Sequence, residues 1–317
     1  MTRTTLSTRL VAATLAGVIA LQYDAAPAAQ QAGGVSQLVW FDRAGTRLGV
    51  VGGPGDYGNL ELSPDGRRVA VATLDASAGT RDLWVHDTES GARTRLTATP
   101  ADENWLVWSP DGARVVFNAF AQTLDLFESR PTPDAPRRQL LSGATGVWPV
   151  SWSPDGQYLL VVTDHPVTGN DIWTLPLDTT REPTPLLQTR AAENWAAFSP
   201  DGRWIAFSAS ITGRSEVYVM RFPDTGRRWA ISTGGGSAAR WRRDGRELYF
   251  IAPDRSLMAA AVTLGQDDVT ADAPVPLFDT RFPYPPYHSF DVAPDGERFL
   301  VNTIVVSPRA PAVVARR

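Results

Sequence analysis

Short apolar runs follow one another along this chain after residue 34, without the period of an amphipathic helix. One set of runs is continuous rather than alternating: Val69–Ala72, Val115–Phe117, Leu159–Val162 and Ile205–Phe207. Continuous runs are typical of strands in a sheet that is covered on both faces. A second set, richer in aromatic residues, stands before them: Trp105–Trp108, Val150–Trp152 and Trp195–Phe198. The pattern predicts an all-β fold built from short strands.

A repeated Ser-Pro-Asp-Gly segment separates the two sets. Four copies are complete, and two are degenerate, Arg242–Gly245 and Ala293–Gly296. The order of residues is that preferred by a type I turn, so the acid and glycine of each copy are predicted to be structural. These turn residues are Asp65, Gly66, Asp111, Gly112, Asp155, Gly156, Asp201, Gly202, Asp244, Gly245, Asp295 and Gly296. Successive aspartates are 43 to 51 residues apart, which indicates a repeat protein.

Two further strands complete each repeat. The third has an acid, an aliphatic residue and an aromatic residue, as in Asp171-Ile172-Trp173, and the fourth is weaker, as in Thr184–Leu187. Four short strands in a period of roughly 40–50 residues are typical of one propeller blade. The six copies therefore predict a six-bladed β-propeller of four-stranded blades over residues 35–305.

The two chain ends are predicted to share one blade. Leu38–Arg43 and Arg47–Val51 resemble third and fourth strands, whereas Tyr287–Val292 and Arg298–Asn302 resemble first and second strands. Pairing them would close the last blade with the N-terminal strands and remove two exposed sheet edges. Residues 306–317 are predicted to be a C-terminal tail.

The N-terminal segment has the features of an export signal. Arginines near the start precede an apolar run, Leu10–Leu21, and small residues follow at Ala26–Ala28. Residues 1–28 are therefore predicted to be a signal peptide, with an uncleaved membrane anchor as the alternative. The mature chain would be periplasmic or secreted, without a transmembrane span. A formal net charge of −4 argues against nucleic acid as a partner, and the lack of cysteine excludes disulfides and thiol chemistry.

The turns, the preceding aromatic residues and the third strands together resemble the TolB-like β-propeller family, whose repeat is named for its Pro-Asp-Gly. Leu38–Arg43, Asp171–Trp173 and Trp241–Phe250 also resemble the extracytoplasmic propeller of bacterial receptor-like serine/threonine kinases. The chain has no lysine and no kinase motif, which excludes phosphoryl transfer. The first strand begins soon after the signal segment, so the additional N-terminal domain of TolB itself is not expected.

Enzymatic chemistry finds little support in the motifs. Propellers of this repeat also cover the active sites of prolyl-oligopeptidase-like hydrolases, but the Gly-x-Ser-x-Gly motif of their nucleophile does not occur here. The three histidines, at 86, 165 and 288, fall in different blades, and His86 is predicted to be a half-exposed strand residue. No catalytic residue, metal ligand or cofactor is predicted.

The acids that begin the third strands allow two interpretations. Asp82, Asp125, Asp171 and Glu216 could form a ring of carboxylates around a cation such as Ca²⁺. The favoured interpretation is that they accept hydrogen bonds from backbone N–H groups in the turn between strands two and three.

The segments before the first strands provide the candidate binding site. First strands line the channel of a propeller, so these segments would surround one channel mouth, opposite the Pro-Asp-Gly turns. Their aromatic and polar residues are Tyr57, Asn59, Glu103, Asn104, Trp105, Trp148, Glu193, Asn194, Trp195, Tyr287 and His288. Aromatic groups with a few polar partners suit capture of a peptide end or a carbohydrate. The alternative is a structural role, with the aromatics between blades and the asparagines capping turns.

Three hypotheses for function follow. The first is an exported, monomeric, non-enzymatic propeller that binds a protein or peptide of the cell envelope at this mouth. The second is a propeller-based hydrolase or lyase, and the third is a detached sensor domain of a receptor-kinase-like system. Fold alone does not separate them, because propellers host both binding and catalysis.

Overall fold

The computed structural model describes residues 35–144, 146–178, 181–223, 226–282 and 289–305. All of them belong to one compact unit, Ala32–Arg317. The predicted signal peptide, the predicted tail, Tyr287 and His288 lie outside the described residues. Within the described ranges, no helix has the length and apolar character needed to cross a membrane.

The described residues form six antiparallel sheets, each a blade of the predicted propeller. Blade 1 contains β3 (Tyr57–Leu62), β4 (Arg68–Asp75), β5 (Thr80–Asp87) and β6 (Arg93–Arg95). Blade 2 contains β7 (Asp102–Trp108), β8 (Val115–Phe120), β9 (Leu124–Ser129) and β10 (Arg138–Ala144). Blade 3 contains β11 (Val147–Trp152), β12 (Tyr158–His165), β13 (Gly169–Pro176) and β14 (Thr184–Leu187).

The second half of the chain repeats this arrangement. Blade 4 contains β15 (Glu193–Phe198), β16 (Trp204–Ala209), β17 (Glu216–Arg221) and β18 (Arg228–Ala230). Blade 5 contains β19 (Ser237–Trp241), β20 (Glu247–Ile251), β21 (Ser256–Leu264), β22 (Val269–Ala271) and β23 (Val275–Asp279). Blade 5 has a fifth strand because its long third strand, β21, pairs with β22 at one end and with β23 at the other.

The composite blade joins the two ends of the fold, as the sequence predicts. It contains β24 (Phe290–Val292), β25 (Arg298–Ile304), β1 (Ser36–Asp42) and β2 (Arg47–Gly55), paired in that order. β1 runs along β25 in unbroken antiparallel register from Ser36↔Ile304 to Asp42↔Arg298. The first and last described strands thereby close the ring.

The core consists of separate layers between neighbouring blades. In one layer, Trp204 of blade 4 packs with Phe250 of blade 5, and both are almost fully buried. The first strands of successive blades contact one another around the centre. Burial on both faces of each sheet explains why the second strands are continuous apolar runs.

The Ser-Pro-Asp-Gly segments form the predicted turns. In the third copy, Gly156 N donates to Ser153 O at 2.8 Å, and Gly156 has a φ of +74°, which favours glycine. Ser153 Oγ donates to Asp155 Oδ1 at 2.6 Å and accepts from the N–H of Tyr158 at 2.9 Å. The degenerate copies keep the same backbone hydrogen bond, from Gly245 N to Arg242 O and from Gly296 N to Ala293 O.

Replacing Ser153 by alanine is expected to lower the free energy of unfolding by about 1–2 kcal/mol, because the buried N–H of Tyr158 loses its partner. Urea unfolding at pH 7 measures the change. Ser142→Ala, at an exposed position of β10, is the matched control and should change stability by less than about 0.5 kcal/mol. Equal effects of the two substitutions would contradict a structural role for the turn hydroxyl.

Candidate functional site

Three tryptophans from consecutive blades meet in the channel. Trp105 of β7 lies between Trp148 of β11 and Trp195 of β15, with ring centroids 6.3 and 5.2 Å apart. All three rings are half-buried, and Trp105 and Trp148 pack against the core between blades 3 and 4. We call Trp105, Trp148 and Trp195 the tryptophan cluster. Large aromatic surface of this kind, with its rings already held in place, suits recognition of an apolar or aromatic group.

The backbone directs two of these rings inward. Trp105 and Trp195 have left-handed φ values of 34° and 56°, and the strand register breaks beside each of them. A bulge of this type re-aims a side chain, and a left-handed conformation costs energy for a residue other than glycine. Blade 5 has the same conformation at Ala238, with a φ of 56°, but alanine supplies no ring there.

The asparagines of the predicted site support this backbone. Asn104 Oδ1 accepts hydrogen bonds from the N–H of Trp105 and from Asn59 Nδ2, both at 3.0 Å. Asn194 Oδ1 accepts from Asn170 Nδ2 at 2.7 Å. Asn59 is only 1% exposed. The asparagines therefore connect the strands that carry the tryptophans to the preceding blades, rather than capping turns.

Three other predicted residues are turned away from the channel opening. Glu103 and Glu193 are 0% and 2% exposed, and each accepts a hydrogen bond from a threonine hydroxyl four residues before it, Thr99 and Thr189. Burial also raises the pKa of Glu193. Tyr57 is buried, and its hydroxyl donates to Gly53 O at 2.6 Å. These groups are inaccessible to a ligand in this conformation, which corrects the expectation that they face it.

The acids of the third strands are structural, but with different partners from those expected. Asp171 Oδ2 accepts from Thr168 Oγ1 and Gln188 Nε2, and Asp82 Oδ2 accepts from Arg95 Nη2. Asp125 and Glu216 accept from the backbone N–H groups of Gly143 and Gly235. Most of these partners lie in or after the fourth strand rather than in the turn between strands two and three. Within the described ranges, no three acidic or histidine side chains are grouped to hold a metal ion.

His86 differs from its prediction. It is 0% exposed rather than half-exposed, and its ring lies edge-on to Tyr57 with the centroids 6.1 Å apart. The sequence places it in a strand correctly, but β2 of the composite blade covers it, since Gly52 lies directly against the imidazole.

The turn-side end of the channel carries a second group of residues, which motif analysis does not single out. One residue of each first strand stands two positions before the turn: Glu61, Val107, Ser151, Ala197, Arg240 and Asp291. We call these six the channel ring. Three members bind the next blade, because Asp291, Glu61 and Ser151 accept from the N–H groups of Leu62, Trp108 and Phe198. A sequence signal exists in the fixed offset from the turn, although the residue types differ.

Comparison with known proteins supports the architecture. No family model matches the chain. A curated relative described as an uncharacterized peptidase, YuxL of Bacillus subtilis (strain 168), is 29% identical over 167 residues, which are 50% of this chain and 23% of that protein. The chain thus spans about a quarter of the length of that relative.

Similar solved structures include proteins named TolB and a peptidase. A putative TolB from Agrobacterium tumefaciens has a TM-score of 0.67 at 18% identity, over 86% of this chain and 99% of that one. TolB from Acinetobacter baumannii has a TM-score of 0.55 at 16% identity, over 79% and 65%. A puromycin-hydrolyzing peptidase of Mycobacterium tuberculosis has a TM-score of 0.56 at 19% identity, over 78% and 44%. In fold, the chain is a TolB-like six-bladed β-propeller.

Proposed function

We propose that this chain is an exported, non-enzymatic propeller that binds a protein or peptide partner of the cell envelope at the tryptophan cluster. The observation that carries the proposal is the convergence of three half-buried indole rings from three blades on a preformed, hydrogen-bonded backbone. A preorganised aromatic surface binds without first paying for the ordering of its side chains. The periplasm or the exterior is the proposed location, and the monomer the proposed state.

Apolar loop tips extend the cluster on the same three blades. Phe120 ends the second strand of blade 2, and Val167 and Ile211 follow the second strands of blades 3 and 4; these residues are 52%, 72% and 51% exposed. The register places these loops at the starts of the first strands, since Phe120 pairs with Asp102 and Ala209 pairs with Glu193. A partner larger than a peptide end would therefore contact blades 2–4 more than blades 5 and 1.

The hydrolase or lyase reading has less support from the geometry. The peptidase names among the similar proteins keep it open. However, the two glutamates nearest the tryptophan cluster are buried against threonines, whereas a general acid or base must reach a substrate. A detached sensor of a receptor-kinase-like system would use the same binding surface. This alternative differs from the proposed function only in that binding would be transmitted to a separate membrane protein.

Loss of two of the three rings of the cluster, Trp105 and Trp195, is expected to abolish partner binding. Glycine is the better replacement, because it accepts the left-handed backbone at both positions at lower cost than alanine. The mature chain, residues 29–317, and Trp105→Gly/Trp195→Gly would each be used to capture proteins from an envelope extract. A partner identified by mass spectrometry would then be purified, and its affinity for both forms measured by calorimetry. We expect a loss of at least about 100-fold, since two aromatic hot spots are removed.

A third form controls for general loss of tryptophan. Trp229→Ala removes a half-buried indole from the outer strand β18, far from the channel, and should keep full affinity. Equal binding by the parent chain and the glycine double variant, both folded by circular dichroism, would overturn the proposed site. Hydrolysis of peptide amides by the parent chain, abolished in Glu103→Gln or Glu193→Gln, would favour the enzymatic alternative.

A further inference from the structure

The turn-side mouth of the channel contains a cavity of about 350 Å³. All six blades line it, and the turn prolines Pro64, Pro110, Pro154, Pro200 and Pro294 surround its entrance. In blade 5, Arg243 takes the place of the proline and donates to Pro64 O across the mouth at 3.0 Å. The cavity lies at the low end of the size range of small-ligand sites, and its prolines make the entrance stiff.

Five members of the channel ring, all except Val107, line this cavity and divide its wall into two halves. The charged members, Arg240, Asp291 and Glu61, come from blade 5, the composite blade and blade 1, which are neighbours. The opposite half carries the small side chains of Ser151 and Ala197, which leave the space open. A charged arc therefore faces a small, mainly apolar wall. This division suits a ligand with one charged end and a short apolar body.

Within the charged arc, the carboxylates differ in how well they are satisfied. Asp291 accepts from the N–H groups of Leu62 and Val292, both at 2.8 Å, and Arg240 Nε lies 3.7 Å from its Oδ1. Within the described ranges, the Glu61 carboxylate accepts a single hydrogen bond, a long one of 3.4 Å from the N–H of Trp108. Its Oε2 is shielded from solvent and has no hydrogen-bond partner among the described residues. One carboxylate oxygen of Glu61 therefore lacks a hydrogen-bond donor within the described ranges.

The charges show which donor would stabilise the arc. With both carboxyl groups ionised, Glu61, Asp291 and Arg240 carry a net charge of −1, while Arg243, the other charged residue of the lining, donates to Pro64 O at the entrance. Burial and the neighbouring charge of Asp291 raise the pKa of Glu61, and burial raises the pKa of Asp291. A cationic donor would offset both effects, because an opposite charge nearby favours the ionised carboxylate. Among cations, a primary ammonium supplies several N–H donors on a compact group that fits beside one carboxylate.

We infer that this cavity binds a primary ammonium group, with the carboxylates of Glu61 and Asp291, which both line the cavity, as its acceptors. The apolar body of the ligand lies along Ala197 and Ser151, towards the prolines of the entrance. The ammonium belongs either to a small free amine or to the N-terminus of a peptide that enters from the turn side. The site is separate from the tryptophan cluster and does not depend on the function proposed for it.

Calorimetry with matched probes tests this inference. At pH 7.5, n-butylamine is compared with N-butylacetamide, which has the same apolar body without the charge. Tetra-alanine amide is compared in the same way with its Nα-acetylated form. We expect the charged member of at least one pair to bind about 10- to 100-fold more tightly, the range given by one charge-assisted hydrogen bond. Preference within the first pair indicates a free amine, and within the second a peptide terminus.

Variants then assign the site. Glu61→Gln is expected to remove the charge preference, whereas Glu297→Gln, an exposed acid on the same face, should keep it. Ala197→Leu narrows the cavity without changing its charge and should weaken binding at least tenfold, which keeps the test valid if Glu61→Gln misfolds. Trp105→Gly/Trp195→Gly should bind the amine normally. Equal affinity for the charged and neutral probes, or full amine binding by folded Glu61→Gln, would overturn the inference.

Discussion

Replacing Glu247 by glutamine is expected to lower the free energy of unfolding at pH 7 by about 3 kcal/mol. Glu247 lies at the start of β20 in blade 5 and accepts two hydrogen bonds from Arg43, at 2.9 and 3.0 Å. Arg242 and Tyr249 donate to its Oε2 at 2.9 and 2.8 Å. Because Arg43 follows β1 of the composite blade, this carboxylate connects blade 5 to the N-terminal half of the composite blade. Glutamine has nearly the same shape as glutamate, but it carries no negative charge to pair with Arg43 and Arg242.

The lowered pKa of Glu247 determines how its contribution to the free energy of unfolding changes with pH. Burial alone would raise the pKa of Glu247, but the hydrogen bonds from Arg43, Tyr249 and Arg242 outweigh it and lower the pKa from 4.5 to about 2. A carboxyl group whose pKa is lower in the folded state stabilises it fully above the unfolded value. That stability disappears as the pH falls from about 4.5 to about 2. The glutamine variant lacks this contribution, so the difference between the two proteins should shrink in the same window.

Urea unfolding at pH 7 and at pH 3 measures both quantities. Glu297→Gln is the matched control, because Glu297 also binds Arg242, at 3.2 Å, but is exposed. We expect the control to change stability by less than about 1 kcal/mol, as is usual for surface ion pairs. A pH-independent loss, or equal losses in the two variants, would show that the charge of Glu247 does not hold blade 5 and the composite blade together.

The repeated turn explains why the architecture could be predicted from the sequence. Each Ser-Pro-Asp-Gly copy makes its hydrogen bonds within a few residues, as in Ser153 with Asp155 and Tyr158. Local sequence therefore determines local structure, and the spacing of the copies sets the blade. The composite blade was predictable for a related reason, since β1 and β25 could each be recognised as half of a repeat. The additional strand β23 was not, because it pairs with the far end of an unusually long β21.

Side-chain direction in the site depends on contacts between blades, and that information is not local. Glu103 and Trp105 are two residues apart in one strand, and the sequence pattern predicts that both face the channel mouth. In the structure, Glu103 is buried and Trp105 lines the channel. The bulge at Trp105 changes the alternation of side-chain direction along the strand, and no residue type in the segment indicates that a bulge is present. The members of the channel ring share a position relative to the turn but differ in residue type, so no sequence motif marks them. The charged members Arg240, Asp291 and Glu61 come together only because the fold makes blade 5, the composite blade and blade 1 neighbours.

Lowering the pH from 6.5 to 4 is expected to cost this protein about 3 kcal/mol of stability through His86 alone. Burial, with a smaller contribution from the charge of Arg93, lowers the pKa of His86 from 6.5 to about 4. Both ring nitrogens are shielded from solvent and have no hydrogen-bond partner among the described residues. The folded state thus binds fewer protons than the unfolded state between these two values. Stability is complete above about pH 6.5 and falls until the folded pKa is passed.

Leucine at position 86 separates this effect from the other titrating groups, because it fills a similar volume and cannot be protonated. Urea unfolding at pH 7, 5.5 and 4.5 should show a shallower loss for His86→Leu than for the parent chain, so that the two stability curves converge or cross towards acid. His165→Gln, which alters the last residue of β12, should follow the parent curve. Parallel curves for all three proteins would mean that His86 gains its proton as readily in the folded state as in the unfolded chain. A steeper parent curve would show that His86, which lies directly against Gly52 of β2, binds its proton less readily in the folded state than in the unfolded chain.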